Sequence, residues 1–181
     1  MYGNRGVLHD ADGRIVRRGQ VRRWLVCELS FRGRRRPLLR PGRYTELFFL
    51  DEAVALAAGH RPCAECRYAA YREFRRIWTA ELGLVSPPRA EGIDDVLHVE
   101  RALESGQRRT REEPAATLPD GTFVRLPGGP HVVVAGVARP WSHEGYGSAR
   151  PLQDVVTVLT PPSTLAVLRA GYRPRLHPTA M

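Results

Sequence analysis

Apolar and polar positions alternate most clearly over 24–31, which predicts a strand with Leu25, Cys27, Leu29 and Phe31 on one inward face. Gly33 then falls in a hairpin loop and Pro41-Gly42 in a turn, ahead of a strand over 44–50. Asp51 is placed to cap a short helix that Gly59 ends. A second helix is predicted from Pro62, a first-turn position where a missing N–H is harmless, to Leu82. Its apolar stripe is Ala70, Phe74, Ile77, Trp78 and Leu82, whose aromatics read as core and not as a base-stacking platform. Ser86-Pro87-Pro88 breaks the pattern. A third helix is predicted over 93–105, with Ile93, Val96, Val99 and Leu103 as its buried seam and Gly106 at its end. Strands follow over 122–126, 131–138 and 154–159, the first two joined by Pro127-Gly128-Gly129-Pro130. Ser163 is placed to cap a last helix that Gly171 closes.

These elements predict an α+β protein. A basic region over 1–83 holds a short sheet and helices, and a Pro-rich linker covers 84–92. The region over 93–181, a helix followed by a small, mostly antiparallel β part, packs on the first.

Composition narrows the setting. No run approaches the roughly 18–20 apolar residues of a membrane helix, so no membrane role is expected. Asp10 and Asp12 close behind His9 exclude the apolar core of a signal peptide. Three cysteines, an odd number, do not form a disulfide framework, and the expected location is a reducing cytoplasm. The formal net charge is +9, and every basic residue is an arginine. Through Arg76 there are 17 arginines against 8 acids, and beyond it 11 against 11, so the excess lies wholly in the first part. Arg17, Arg18, Arg22 and Arg23 form one run and Arg34, Arg35 and Arg36 another, at loop tips. Such runs are either a solvated surface or a phosphate-binding one.

Candidate chemistry begins with Cys63-Ala64-Glu65-Cys66. A helix starting at Pro62 sets the two thiols one turn apart at the positive end of its dipole, which favours thiolates. The pair reads as half of a zinc site, with a redox dithiol as the alternative. Cys27, the remaining thiol on an inward strand face, is the third candidate ligand, or else a buried free thiol.

Phe48-Phe49, Asp51-Glu52-Ala53 and Ala57-Ala58-Gly59-His60-Arg61-Pro62-Cys63-Ala64-Glu65-Cys66 resemble the second half of an Ada-type metal-binding domain. The resemblance spans at most residues 3–83 and implies bound zinc, with DNA ahead of RNA as the partner. That family has two further cysteines upstream, where this chain has Gly6-Val7-Leu8-His9 and Gly13. The methyl-accepting cysteine therefore has no counterpart there, and His9, in the slot of the first, becomes the fourth candidate ligand. Asp10, Asp12 and His60 are reserve donors, although His60 fills a position that is aromatic in the family and is expected to pack.

Two other clusters carry polar chemistry. On the third helix Asp94, His98 and Arg101 share a face, beside Glu100, as an oriented base or a salt-bridge ladder. Trp141-Ser142-His143-Glu144-Gly145-Tyr146-Gly147 suits a binding or catalytic lip. The sequence as a whole points to a zinc-containing nucleic-acid-binding protein, with structural zinc and arginines on phosphates. Three alternatives stand beside it. The first is an enzyme acting on nucleic acid through Asp94, His98, Glu100, His143 and Glu144. The second is a thiol oxidoreductase using Cys63 and Cys66. The third is a zinc-thiolate methyl acceptor, which requires Cys27 to be exposed.

Overall fold

A computed structural model describes residues 1–33, 37–101 and 109–181. These residues form an α+β fold, with two sheets and four α-helices among them. In the first sheet β1 (Tyr2–Asn4) is central. It pairs antiparallel with β2 (Leu25–Cys27) on one side and with β3 (Leu47–Phe48) on the other. β4 (Arg61–Pro62) adds parallel to β2. The strand predicted over 24–31 is therefore only three residues long, and the one over 44–50 only two.

Asp51 caps α1 (Glu52–Ala57) by accepting from the Val54 N–H at 2.9 Å. Gly59, at φ +84°, ends it. The second helix differs from expectation: α2 runs Tyr68–Glu81 and begins six residues after Pro62. The ladder explains the delay. The N–H groups of Arg61 and Cys63 donate to the carbonyls of Trp24 and Val26, both at 3.0 Å, and Pro62 between them needs no donor on an edge strand. α2 buries Tyr71, Phe74, Ile77 and Trp78, while Leu82 stays partly exposed.

α3 (Ala90–Arg101) starts earlier than predicted, and Leu103, Ser105 and Gly106 lie outside the described residues. Its buried stripe is Ile93, Asp94, Leu97 and Arg101. Val96 and Val99 are exposed, because the stripe follows an i, i+4, i+8 line that places polar residues inside.

The second sheet is antiparallel throughout, in the order β5 (Arg111–Pro114), β9 (Val155–Val158), β6 (Phe123–Leu126), β7 (Gly129–Val134), β8 (Val137–Pro140). The predicted strand over 131–138 is two strands, split by a turn with Ala135 and Gly136 at positive φ. α4 (Pro162–Arg169) starts on Pro161-Pro162, and Ser163 is not its cap.

The two regions read from the sequence share their core. Leu56, Phe74 and Trp78 pack with Ile93, Leu97, Val167, Leu168 and Tyr172. Ala53 and Ala57 of α1 join Phe123, Val132 and Leu159 of the second sheet. No helix among the described residues is long and apolar enough to cross a membrane.

Candidate functional site

The parallel pairing of β4 with β2 brings Cys63 beside Cys27, and the turn after it returns Cys66 to the same place. The three sulfur donors all lie within 4.8 Å of one another and could together hold a metal ion. A tetrahedral ion with bonds of about 2.3 Å to sulfur sets its sulfurs about 3.8 Å apart, so this donor set fits three corners of such a site. Backbone N–H groups already point at two sulfurs: Glu65 donates to Cys63 and Glu28 to Cys66, each at 3.4 Å. Contacts of this kind orient and steady metal thiolates. The thiol of Cys27, by donating to Cys63, is the main cause of a Cys63 pKa drawn down to about 5. Cys27 itself is pushed up, by that same bond and by burial. Because Cys63 and Cys66 precede α2, strand pairing and a turn, not a helix dipole, hold the thiols in place.

Residues next to the sulfurs tie them to the core. Arg67, adjacent to Cys66, donates from both terminal nitrogens to the buried carboxylate of Glu52 at 2.7 Å each. Glu52 also accepts from the Tyr172 hydroxyl at 2.6 Å and the Arg175 N–H at 3.0 Å. Glu28, adjacent to Cys27, pairs with Arg67 and Arg175.

Leu25, Cys27, Leu29 and Phe31 do share a face, but it lines a cavity of about 250 Å³ beside the sulfurs. The core side of β2 is Val26, fully buried, whereas Leu29 is 65 % exposed. Tyr2 and Tyr44, whose hydroxyls are 3.5 Å apart, line the same cavity.

His9 is not part of the group. It is buried elsewhere, with Nδ1 2.5 Å from the Thr45 hydroxyl and Nε2 3.3 Å from the Arg40 carbonyl. A carbonyl only accepts, so Nε2 donates to Arg40, and Nδ1 is held by the Thr45 hydroxyl; both ring nitrogens are engaged within the chain. His60 packs, as its aromatic slot implies, against Phe49 and Trp24 with ring centroids 4.7 and 5.3 Å away.

No protein-family model matches the chain, and no curated protein or solved structure matches it either. The site is therefore read from its own residues.

A second feature lies around Trp24. The guanidiniums of Arg5 and Arg101 each stack 4.0 Å from its ring centroid. Arg101 is buried, donates to the carbonyls of Arg22 at 2.7 Å and Gly59 at 3.4 Å, and has its pKa lowered to about 10 by that burial. It remains a cation at neutral pH. The indole N–H donates to Val21 and the Gln20 N–H to Arg5, both at 2.9 Å, which pins the arginine loop. The result is a cleft of about 900 Å³ lined by Arg5, Arg17, Arg18, Arg22, Arg101 and His98, with no carboxylate among the described residues that line it. Arg23 lies outside this lining, and Arg34, Arg35 and Arg36 lie outside the described residues.

The proposed catalytic group does not assemble. Asp94 is taken by Arg61, and Glu100 accepts from the Ser163 N–H and hydroxyl at the start of α4. His98 faces the basic cleft, and burial together with Arg101 and Arg22 lowers its pKa. His143 meets the Trp141 ring edge-on with centroids 4.9 Å apart, and Glu144 accepts from the Ser142 hydroxyl at 3.0 Å. Among the described residues no hydrogen bond joins the two clusters. Cys27 is 6 % exposed, where a methyl acceptor requires an accessible sulfur. The sequence reading missed Tyr2 and Arg5, which stand in a segment too short to show a period.

Proposed function

We propose that the protein binds nucleic acid through its arginine cleft and carries zinc at Cys27, Cys63 and Cys66 in a structural role. The observation that carries the first part is the convergence of five arginines on one cleft, with no carboxylate among the described residues that line it. Guanidiniums gathered on an open cleft favour a polyanion, with Arg22 also pairing with Asp95 at 2.9 Å, and contacts to phosphate are made without regard to base sequence. Trp24 is already covered by two guanidiniums, so the reading assigns it to holding the loop and not to stacking on bases. The resemblance to Ada-type domains favours DNA over RNA. Zinc is preferred to a redox dithiol because a third sulfur converges on the pair. Three thiolates suit a borderline-soft ion better than a two-thiol redox couple does.

Fluorescence anisotropy of labelled duplex DNA at several salt concentrations tests the reading. Neutralising about five phosphates gives a slope of roughly −4 to −5 in log affinity against log salt. Replacing Arg17, Arg18 and Arg22 together by Ala flattens it by about two to three units, one per lost phosphate contact. Undetectable binding at low salt, or equal slopes for the two proteins, removes the nucleic-acid assignment.

A further inference from the structure

The cysteine group and the arginine cleft open onto different surroundings. Among the described residues lining the thiol cavity none is an arginine, lysine or histidine. Glu28, Glu46 and Glu65 line it beside the three sulfurs, and its walls are Leu25, Leu29, Phe31, Leu38 and Phe48. Leu29, Leu38 and Phe48 are 65 %, 59 % and 60 % exposed, so these walls form an apolar rim open to solvent. The sulfurs themselves do not complete a tetrahedron. Among the described residues no fourth Cys, His, Asp or Glu donor belongs to the group, and His9 is spent on Thr45 and Arg40.

We infer that the ion held by Cys27, Cys63 and Cys66 leaves one coordination position open to this cavity, where it takes a small, uncharged organic thiol with an apolar body. The inference rests on the metal reading given above. An ion with three protein ligands still ties the three segments together as a structural site does, and its open fourth corner can in addition take a ligand. Three thiolates favour a further soft donor over a hard one. On binding, the thiol loses its proton to solvent and its sulfur forms the fourth bond to the metal; nothing is oxidised or reduced. The apolar rim covers the hydrocarbon part, and a charged tail laid against it would lose water without gaining a partner. A cavity of about 250 Å³ limits the ligand to a small molecule.

Cobalt(II) loaded into the full chain reports this directly, because sulfur-to-cobalt charge transfer counts bound thiolates and the visible bands report coordination geometry. Titration with benzyl mercaptan should raise the charge-transfer intensity saturably by about one third, as three thiolates become four. Mercaptoethanesulfonate, with its anionic tail, should bind at least about tenfold more weakly. Phe48→Glu and Leu29→Glu, at exposed rim positions, should weaken benzyl mercaptan binding by a similar factor while leaving cobalt uptake unchanged. A spectrum with sulfur-to-cobalt bands that no thiol changes overturns the inference and leaves the metal site standing, closed by a donor of the chain. Bands that disappear with release of cobalt overturn it as well. A protein with no sulfur-to-cobalt bands at all removes the metal reading and this inference together.

Discussion

Arg61 and Asp94 form a two-pronged ion pair, Nε and Nη2 reaching the two carboxylate oxygens at 2.8 and 2.7 Å, with both side chains buried. It ties β4, the strand that delivers Cys63, to α3. Removing one member leaves the other charged and unpaired in the core. Asp94→Ala should therefore lower stability by about 3–5 kcal/mol, seen as a drop of about 10 °C or more in Tm. An unchanged Tm in thermal denaturation refutes the structural role of the pair.

Metal content tests the sulfur group residue by residue. The purified protein should hold about one ion per chain, identified by X-ray fluorescence. Cys27→Ser, Cys63→Ser and Cys66→Ser should each lose it along with part of the folding energy. His9→Ala should keep the ion, since His9 bonds Thr45 and Arg40. Full occupancy in Cys27→Ser takes that residue out of the ligand set.

His60 should make the fold sensitive to acid. It is fully buried, and burial together with the neighbouring Arg5 and Arg101 lowers its pKa well below the ordinary value of 6.5. The unfolded chain then takes up a proton on falling pH before the native one does. The stabilisation is complete above pH 6.5 and is lost as pH falls below it, by up to about 1.4 kcal/mol per pH unit. His60→Phe, which keeps an aromatic ring in the slot, should remove that part of the slope between pH 6.5 and 5. Parallel denaturant titrations of the two proteins measure it, and superimposable pH profiles rule the effect out.

Gly59 should couple α1 to the cleft. A Cβ there meets Arg101 Cγ at 2.3 Å and Cδ at 2.5 Å, on a backbone at φ +84°. Gly59→Ala should cost about 1–2 kcal/mol from the backbone alone. It should also push Arg101 off Trp24 and weaken DNA binding. A loss of stability with DNA affinity intact would separate Arg101 from the cleft.

Glu100 and His98 divide structure from surface. Glu100→Ala should cost about 1–2 kcal/mol, because it removes the carboxylate on Ser163 at the start of α4. His98→Ala should leave stability within about 0.5 kcal/mol of the parent, as substitution of an exposed residue does. The opposite ordering in thermal melts contradicts this assignment.

Local signals were legible where local physics decides. Asp51 and Gly59 bound α1 as the sequence suggests, and the spacing of Phe74, Ile77 and Trp78 reports their burial. Cys63 and Cys66 were visible as a pair, and Cys27 joins them. What the sequence hid was long-range. β1, the centre of the first sheet, is three residues with no periodicity of its own. Pro62 suits a helix start and an edge strand equally, and the carbonyls of Trp24 and Val26 decide for the strand. The alternation over 24–31 gives the shared face but not its direction, since a cavity wall and a core wall are both apolar. His9 and Thr45 are 36 residues apart, so their bond leaves no trace in spacing.

The carboxylate of Glu52 also sets an order of events in folding. Its partner Arg67 is 15 residues away, but Tyr172 and Arg175 are 120 and 123 residues away. A nascent chain that has just released Arg67 can close the first contact and none of the others. Contacts so far apart in sequence close slowly, since the loop entropy is lost before they form. The basic half of the chain therefore stays incomplete until the segment around Tyr172 has emerged. Its maturation is set by a tail synthesised more than a hundred residues later.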